Sequence, residues 1–177
     1  MASAIAGCAN DGPSVSSETA SRVRVVLDYS PTLSDAGALL YLASNPAVDL
    51  VAVTLPGTGE ADCEPGVRTT RSLLAIAGHP NVPVGCGRNT PLVGSRDWPD
   101  EWRTEVNRWG ADMLPPVAEQ PAVDAGQLLV DTLTASTAPI TIVAVAPMTN
   151  LGVVLAEHPG LANRVDRIVI MGGALSS

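Results

Sequence analysis

The chain has 177 residues, 46% of them hydrophobic, which is enough to bury one core of the size typical of a single domain. Eighteen acidic residues outnumber ten lysines and arginines, and the resulting net charge of −8 repels a phosphate backbone, so we expect no nucleic-acid partner. Aromatic residues make up only 3%, with no Phe, which also argues against a stacking platform for single strands. This composition favours a small neutral ligand or a cation.

Residues 1–22 are predicted to be a flexible segment outside the domain. Residues 5–8, Ile-Ala-Gly-Cys, resemble the lipobox of bacterial lipoproteins, in which the Cys (here Cys8) is lipidated, and the polar stretch behind them is typical of a tether. Only seven residues precede Cys8, without a basic region or a full apolar region, so this is not a working signal peptide as written. Two interpretations stay open: an extracytoplasmic lipoprotein whose start lies upstream, touching the membrane only through its lipid, or a chance match in a cytoplasmic protein.

From residue 23 onward, short apolar runs alternate with helical patterns. The predicted strands are residues 23–28, 49–55, 82–86, 140–146 and 167–171. The predicted helices are residues 34–44, 65–77, 123–135 and 150–157, the first opening at Ser34 or Asp35. This alternation predicts an open, largely parallel, Rossmann-like α/β sheet with helices on both faces, in one domain over residues 23–177.

Residues 88–122 interrupt the alternation and are rich in Pro, Trp and charge. We predict a long loop with a short helix around "PDEWRTEVNRWG", and loops of this length in compact domains often serve as lids. Trp98, Trp102 and Trp109 then have two interpretations: a small hydrophobic cluster under the loop, or a lid that stacks on a base. Asp124 and Asp131, on the next predicted helix, are expected on a solvated face.

In such a sheet, ligands bind beyond the carboxyl ends of the strands, where the strand order reverses. This rule brings three loops together, residues 28–35, 56–64 and 147–150. Their oxygen donors suit a hard cation such as calcium, or sugar hydroxyls. The donors are Asp28, Asp35, Glu60, Asp62, Glu64, Thr149 and Asn150.

The cysteines and histidines are not expected to take part in the site. Cys63 and Cys86 show no metal-ligand spacing, and although they could pair in an oxidising compartment, free buried thiols are the expectation. His79 and His158 each lie at a predicted helix end before a proline, where an imidazolium interacts favourably with the helix dipole.

Five stretches together resemble the N-terminal half of the inosine-uridine preferring nucleoside hydrolases, from about residue 23 to residue 177. They are "VVLDYSPTLSDAGALLYL", "VAVTLPGTGEADCEPGVRTTRSLLAIAG", "VPVGCGRNTPL", "VAVAPMTNLGVVLAEHPGLANRV" and "IVIMGGAL". The resemblance implies hydrolysis of the N-glycosidic bond of a ribonucleoside to ribose and free base, with Ca²⁺ as cofactor. It also implies that the family's C-terminal half is missing here.

That family opens with the motif D-x-D-P-G-x-D-D, whose aspartates bind calcium, hold the ribose hydroxyls and activate a water. Asp28 matches the first aspartate of the motif and Asp35 the last. Ser30 stands at the position of the aspartate that acts as general base, and Ser34 at that of the third aspartate. A serine adds no charge for calcium and cannot accept a proton from water near neutral pH. The resemblance therefore implies a degenerate site, in which Asp28, Ser30 and Ser34 occupy the catalytic positions.

The resemblance also assigns the other site residues. Asp35 and the backbone carbonyl of Thr149 would face the calcium, and the ribose or nucleoside would meet Asp28, Asp62, Asn150 and Met171, although Glu60 or Thr58 could stand in for Asp62. A solvated acidic turn is the alternative for "GTGEADCE", and helix capping is the alternative for Ser34 and Asp35. Three hypotheses follow: an N-glycosidase, a noncatalytic ribose- or nucleoside-binding relative, or an inactive fragment. Self-association into a homo-oligomer stays compatible with each.

Overall fold

The computed structural model of the chain describes residues 21–95, 98–118 and 120–173. Within them, six strands alternate with five α-helices, and a 3₁₀ helix at Pro159–Arg164 precedes the last strand. The strands are β1 Val23–Asp28, β2 Val48–Leu55, β3 Val84–Cys86, β4 Val123–Asp124, β5 Ile140–Ala144 and β6 Val165–Ile170. The helices are α1 Leu33–Ser44, α2 Cys63–Ile76, α3 Asp100–Met113, α4 Ala125–Ala135 and α5 Thr149–Glu157.

All strand pairs are parallel, and the sheet order is β4-β3-β2-β1-β5-β6, which confirms the predicted fold class. Strands β2, β3 and β4 lie in that order on one side of β1, and strands β5 and β6 lie on its other side. The strand order therefore reverses between β1 and β5, and the crevice beyond their carboxyl ends is the expected ligand position. Asp28, the last residue of β1, pairs with Thr54 of β2 and Ala144 of β5 at this edge.

The sheet carries a buried core on each face, as expected for parallel strands between two layers of helices. Leu27 belongs to the core shared with Leu39 of α1, and its neighbour Val26 belongs to the core shared with Leu129 of α4. All four side chains are fully buried. Because successive strand residues point to opposite faces, the apolar run before Asp28 fixes β1 in the middle of the sheet.

Two helix starts differ from the prediction. Helix α1 begins at Leu33, and its N-cap is Thr32, whose Oγ1 accepts a hydrogen bond from the Asp35 amide at 3.1 Å, so the predicted capping by Ser34 or Asp35 is wrong. Residues 123–124 form the short strand β4, and α4 begins only at Ala125. Asp124 caps α4 by accepting from the Gln127 amide, so its role is a helix cap.

The segment that interrupts the alternation contains a 14-residue helix, α3, which is longer than the short helix predicted there. It packs closely on α2: a Cβ added to Gly110 would lie 1.9 Å from Thr69 Oγ1. Trp109 packs against the core and donates from Nε1 to the Pro31 carbonyl at 2.7 Å. Trp98 and Trp102 pair with each other, with ring centroids 5.9 Å apart. Trp109 is thus a partly buried residue of α3 that packs against the core.

Cys63 and Cys86 form a disulfide with a Cα–Cα distance of 5.6 Å, so the expectation of free thiols is wrong. The bond joins the first residue of α2 to the last residue of β3. The two cysteines are 23 positions apart and become neighbours only because β2 and β3 are adjacent in the sheet.

The N-terminal prediction, including Cys8, lies almost entirely outside the described residues, which begin at residue 21. In the part of the chain that the structure describes, no helix has the length and hydropathy needed to cross a membrane.

Candidate functional site

Asp28 lies at the centre of the candidate site and is completely buried. Its Oδ1 accepts two hydrogen bonds, from Thr54 Oγ1 at 2.7 Å and from Asn150 Nδ2 at 2.9 Å. Its Oδ2 is also buried, and among the residues that the structure describes it has no hydrogen-bond partner. Buried polar atoms are nearly always paired in native proteins, so the unpaired oxygen makes this place, where the strand order reverses between β1 and β5 (the switch point of the sheet), the candidate ligand site.

Burial raises the pKa of Asp28 from 3.8 to about 6, although the hydrogen bonds from Thr54 and Asn150 partly oppose the rise. Desolvation disfavours the charged form of a carboxyl group, and here it outweighs the two donors. Asp28 is therefore still mostly ionised at neutral pH, with its charge held in a poorly solvated position.

Thr149 and Asn150 begin α5 and approach Asp28 from the β5 side of the crevice; both are buried. A Cβ added to Gly87 would lie 1.9 Å from Asn150 Oδ1, so only a glycine at this position leaves room for the Asn150 side chain. The loop after β3 thus fits against the residue that donates to Asp28.

Ser30 is buried two residues after Asp28, and its Oγ accepts a hydrogen bond from the Glu60 amide at 3.1 Å. Burial raises the pKa of Glu60, and the nearby Asp35 carboxylate raises it further. Burial also raises the pKa of Asp35, although hydrogen bonds with Thr32 and Ser34 partly oppose the rise. Ser30, Asp35 and Glu60 therefore form a second polar group beside Asp28.

Ser34 is different, because it is exposed on the first turn of α1. Its hydroxyl lies 3.0 Å from Thr32 Oγ1, the group that caps the helix. The structure thus separates the two serines of the motif: Ser30 faces the buried network, whereas Ser34 belongs to the helix cap.

The Asp62 carboxylate binds to side chains of α3 and not to the groups around Asp28. Its Oδ1 forms a salt bridge with Arg103 of α3, and its Oδ2 accepts from Asn107 Nδ2 at 2.7 Å. Both carboxylate oxygens of Asp62 are therefore directed toward α3. Thr58, in the same loop, does reach the site, since its hydroxyl lies 2.8 Å from Thr149 Oγ1.

Met171 follows β6 at the same edge of the sheet, where its amide donates to the Ala144 carbonyl at 2.9 Å. Its side chain is 60% exposed, and the contacts described here do not link it to Asp28. The crevice therefore brings Asp28, Ser30, Thr149 and Asn150 together, and Met171 lies at the same edge of the sheet with its side chain exposed.

Calcium takes six to eight oxygen ligands, several of them charged in tight sites. The Asp28 Oδ2 atom is a carboxylate oxygen, the type of ligand that calcium prefers. Within residues 21–95, 98–118 and 120–173, however, no three acidic, His or Cys side chains converge closely enough to hold a metal ion. The described residues therefore do not supply the cluster of charged ligands that a tight calcium site needs.

The sequence model of the inosine-uridine preferring nucleoside hydrolases matches residues 25–177. The chain belongs to this family. The pyrimidine-specific ribonucleoside hydrolase RihA of Enterobacter sp. (strain 638) is 32% identical over 151 residues, which are 85% of this chain and 48% of that protein. The chain spans about half the length of the curated relatives it matches.

Solved structures of nucleoside hydrolases share the fold. A plant nucleoside hydrolase superposes with a TM-score of 0.72 at 27% identity, covering 86% of this chain and 48% of that one. The inosine-uridine preferring nucleoside hydrolase of Bacillus anthracis superposes with a TM-score of 0.72 at 22% identity, covering 88% of this chain and 52% of that one. The predicted family and fold are thereby confirmed.

Sequence reasoning missed Thr54 and Arg103. A polar Thr54 inside the apolar β2 was a usable signal, because a buried hydroxyl needs a partner and the parallel register places Asp28 beside it. Arg103 had no such signal, since its contacts with the 57–62 loop bridge more than 40 positions of sequence.

Proposed function

We propose that this nucleoside hydrolase-like chain supplies the ribose-binding part of the site and that its reaction class is hydrolysis of the N-glycosidic bond of a ribonucleoside. The observation that carries the proposal is the buried Asp28 Oδ2, which has no hydrogen-bond partner within residues 21–95, 98–118 and 120–173. A ribose hydroxyl is the neutral donor that would satisfy this oxygen. The small-molecule partner is accordingly a nucleoside or ribose.

Asp28 is proposed to orient the sugar. Thr54 and Asn150 fix Oδ1, so Oδ2 is held in one direction and accepts from a hydroxyl without reorganisation. A charge-assisted hydrogen bond of this kind is about twice as strong as a neutral one. The position of Asn150 between Asp28 and Gly87 favours a supporting role for Asn150 in sugar binding, while Met171 would meet the sugar from the open side.

Bond cleavage requires a water that attacks the anomeric carbon while the base leaves, through an oxocarbenium-like transition state. At the position where the family has its general base, this chain has Ser30, whose hydroxyl does not take a proton from water near neutral pH. Ser30 instead accepts from the Glu60 amide, which favours a binding role. We therefore propose that the chain as given binds the sugar but hydrolyses nucleosides very slowly.

We propose that this chain binds calcium only weakly. Asp28 and Asp35, with the Thr149 backbone carbonyl, are the groups that would face it, and Ser34 would add at most a neutral oxygen. Asp62, which the resemblance assigned to the sugar, is not proposed as a sugar contact, because Arg103 and Asn107 bind both of its carboxylate oxygens. No step of the proposed chemistry depends on the ion.

A noncatalytic ribose- or nucleoside-binding role is the second candidate. The hydroxyl at position 30 favours it, since a binding protein needs no base. Titration calorimetry with inosine, uridine and ribose, alongside a reducing-sugar assay, separates the candidates. Binding with ribose release indicates the hydrolase, and binding without release indicates the binder. No binding of any of the three ligands, to a folded chain in which Asp28→Asn also changes nothing, would reject both.

A further inference from the structure

The 57–62 loop, which follows β2, bridges the two sides of the candidate site. On one side its Thr58 hydroxyl lies 2.8 Å from Thr149 Oγ1. On the other side its Glu60 amide donates to Ser30 Oγ at 3.1 Å. The position of this loop therefore decides how closely Ser30 and Thr149 are held around Asp28.

The loop cannot position itself, because its own hydrogen bonds are few. Within it and its flanks, the Gly59 amide donates to the Pro56 carbonyl at 2.9 Å. Gly57 and Gly59 add the most flexible residue type at two of its six positions. An ordered loop of this composition needs contacts from another element.

Arg103 of α3 supplies those contacts. Its guanidinium donates to Asp62 Oδ1 at 2.5 Å, to the Gly59 carbonyl at 3.0 Å and to the Gly57 carbonyl at 3.3 Å. The side chain is only 17% exposed, although it carries a full charge. The planar fork of an arginine suits this task, because it reaches several acceptors at once in a fixed geometry.

Two neighbours in the same segment complete the attachment. Asn107 exchanges two hydrogen bonds with Asp62, since its Oδ1 accepts from the Asp62 amide at 2.9 Å and its Nδ2 donates to Asp62 Oδ2 at 2.7 Å. Trp98 donates from Nε1 to the Thr58 carbonyl at 3.2 Å. Both ends of the loop are thus fixed to the segment that carries α3.

We infer that Arg103 is a positioning residue of the ligand site: it holds the 57–62 loop so that Thr58 stays against Thr149 and Glu60 against Ser30. This inference rests on the proposed function for its ligand, a nucleoside or ribose. Arg103 acts through the loop and touches neither Asp28 nor the sugar.

The first test compares the 177-residue chain with its Arg103→Ala variant by NMR-detected amide exchange and by titration with inosine. We expect exchange of the Gly59 and Glu60 amides to rise about 10- to 100-fold, which matches the loss of hydrogen bonds to a charged group. The indole N–H signal of Trp98 should shift, whereas that of Trp109, which donates to Pro31, should not. The inosine Kd should rise about 10- to 100-fold, as for other residues that orient a binding group.

Matched variants separate positioning from general stability. Arg108→Ala removes an exposed arginine of the same helix, whose partner is Asp112, and should leave exchange and Kd unchanged. Arg103→Lys keeps a charge for Asp62 but loses the fork to the two carbonyls, so it should give an intermediate Kd. Asp62→Asn keeps the carbonyl contacts and should also be intermediate; these two variants carry the test if Arg103→Ala fails to fold.

Unchanged exchange at Gly59 and Glu60 in Arg103→Ala would overturn the inference, and so would an unchanged inosine Kd despite faster exchange. If the wild-type chain binds no nucleoside or ribose, the proposed function fails on its own account. The inference is then decided by the Thr149 and Asn150 amide signals: shifts in Arg103→Ala but not in Arg108→Ala support it, and identical spectra refute it.

Discussion

Asn150 donates a hydrogen bond from Nδ2 to Oδ1 of Asp28 at 2.9 Å, across 122 positions of sequence. Together with Thr54, it fixes one carboxylate oxygen, while Oδ2 is buried without a partner in the described part of the chain. This arrangement costs stability, because a charge is kept where the fold cannot fully solvate it. A cost of this kind at the switch point is typical of a binding site.

Asp28→Asn tests that cost through the dependence of stability on pH. The pKa of Asp28 is about 6 in the folded chain against the ordinary 3.8 of an aspartate, so the folded state binds the proton more tightly. Stability from this group is therefore fully present below pH 4 and is lost as the pH rises to about 6, a loss of about 3 kcal/mol. We expect Asp28→Asn to remove this loss, and to unfold at higher urea concentration than the wild type at pH 7.5, while losing affinity for ribose.

Urea unfolding at several pH values between 4 and 7.5 measures this effect. Asp131→Asn, which changes an exposed aspartate of α4, is the control and should keep the wild-type dependence on pH. An Asp28→Asn variant that is less stable than the wild type at pH 7.5, with an unaltered dependence on pH, would contradict the prediction.

Gly87→Ala tests the fit of the loop after β3 against Asn150. The added Cβ would lie 1.9 Å from Asn150 Oδ1, so the Asn150 side chain must move and release Asp28. We expect a loss of about 1–3 kcal/mol of unfolding free energy, as for other overpacked positions. The side-chain amide signals of Asn150 should shift in NMR spectra.

Gly37→Ala provides the control for that substitution. Gly37 is an exposed residue inside α1, and an added Cβ would meet nothing within 4 Å. Ala is the better helix former, so this variant should gain about 0.5–1 kcal/mol. Equal effects of the two substitutions would show that the close approach at Gly87 is relaxed in solution.

The sequence was sufficient to predict those elements whose signal is local. The apolar runs that form β1, β2 and β5, and the helical spacing of α1, α2 and α5, predicted the parallel sheet and placed Asp28 at a strand end. The capping residue of α1 was misjudged, because Thr32, Ser34 and Asp35 are all good caps and only the backbone geometry chooses among them. Element boundaries were therefore the weakest local predictions.

The parts that escaped prediction depend on contacts between distant positions. Asp62 was expected near the sugar because it follows a strand, yet Arg103, 41 positions later, binds its carboxylate. The pairing of Cys63 with Cys86 depends on which strands become neighbours, and the cysteine spacing carries no information about that order. Periodicity and motif spacing do not report such contacts.

The Cys63–Cys86 disulfide should contribute strongly to stability, because it closes a loop that spans 23 positions in sequence between α2 and β3. Chain-entropy estimates for a loop of this size give about 3 kcal/mol. We expect Cys63→Ser with Cys86→Ser to unfold at clearly lower urea concentration than the wild type, and reduction of the wild type by dithiothreitol to have the same effect. Cys8→Ser, which leaves the pair intact, serves as the control; a wild type insensitive to reduction would argue against the bond.

Strand β6 should make the 177-residue chain self-associate when it is expressed alone. Among the described residues, β6 pairs only with β5, and the exposed fractions of Ile168, Val169 and Ile170 are 37%, 50% and 48%. An edge strand with exposed apolar side chains is a template for pairing with another chain. Ile170→Lys should reduce self-association in sedimentation experiments, whereas Tyr41→Lys, at an exposed position of α1, should not; a wild-type chain that stays monomeric at all concentrations would refute this.

The two serines of the motif provide the last prediction, which concerns calcium and catalysis together. Ser30 is buried beside Asp28, and the described residues offer no cluster of three acidic, His or Cys side chains for a metal ion. Calcium affinity rises with the number of charged ligands, so we expect the wild type to bind calcium weakly, with a Kd on the order of 10⁻³ M. Ser30→Asp with Ser34→Asp should lower the calcium Kd measured by calorimetry, whereas Ser30→Asn with Ser34→Asn, of the same size but without charge, should not.

Because a general base contributes roughly 10²- to 10⁴-fold to the rate, ribose release from inosine or uridine should be very slow in the wild type and should increase in the aspartate variant. Calcium-dependent ribose release by the wild type at an ordinary enzymatic rate would mean that another group, placed closer to the water than Ser30, acts as the base.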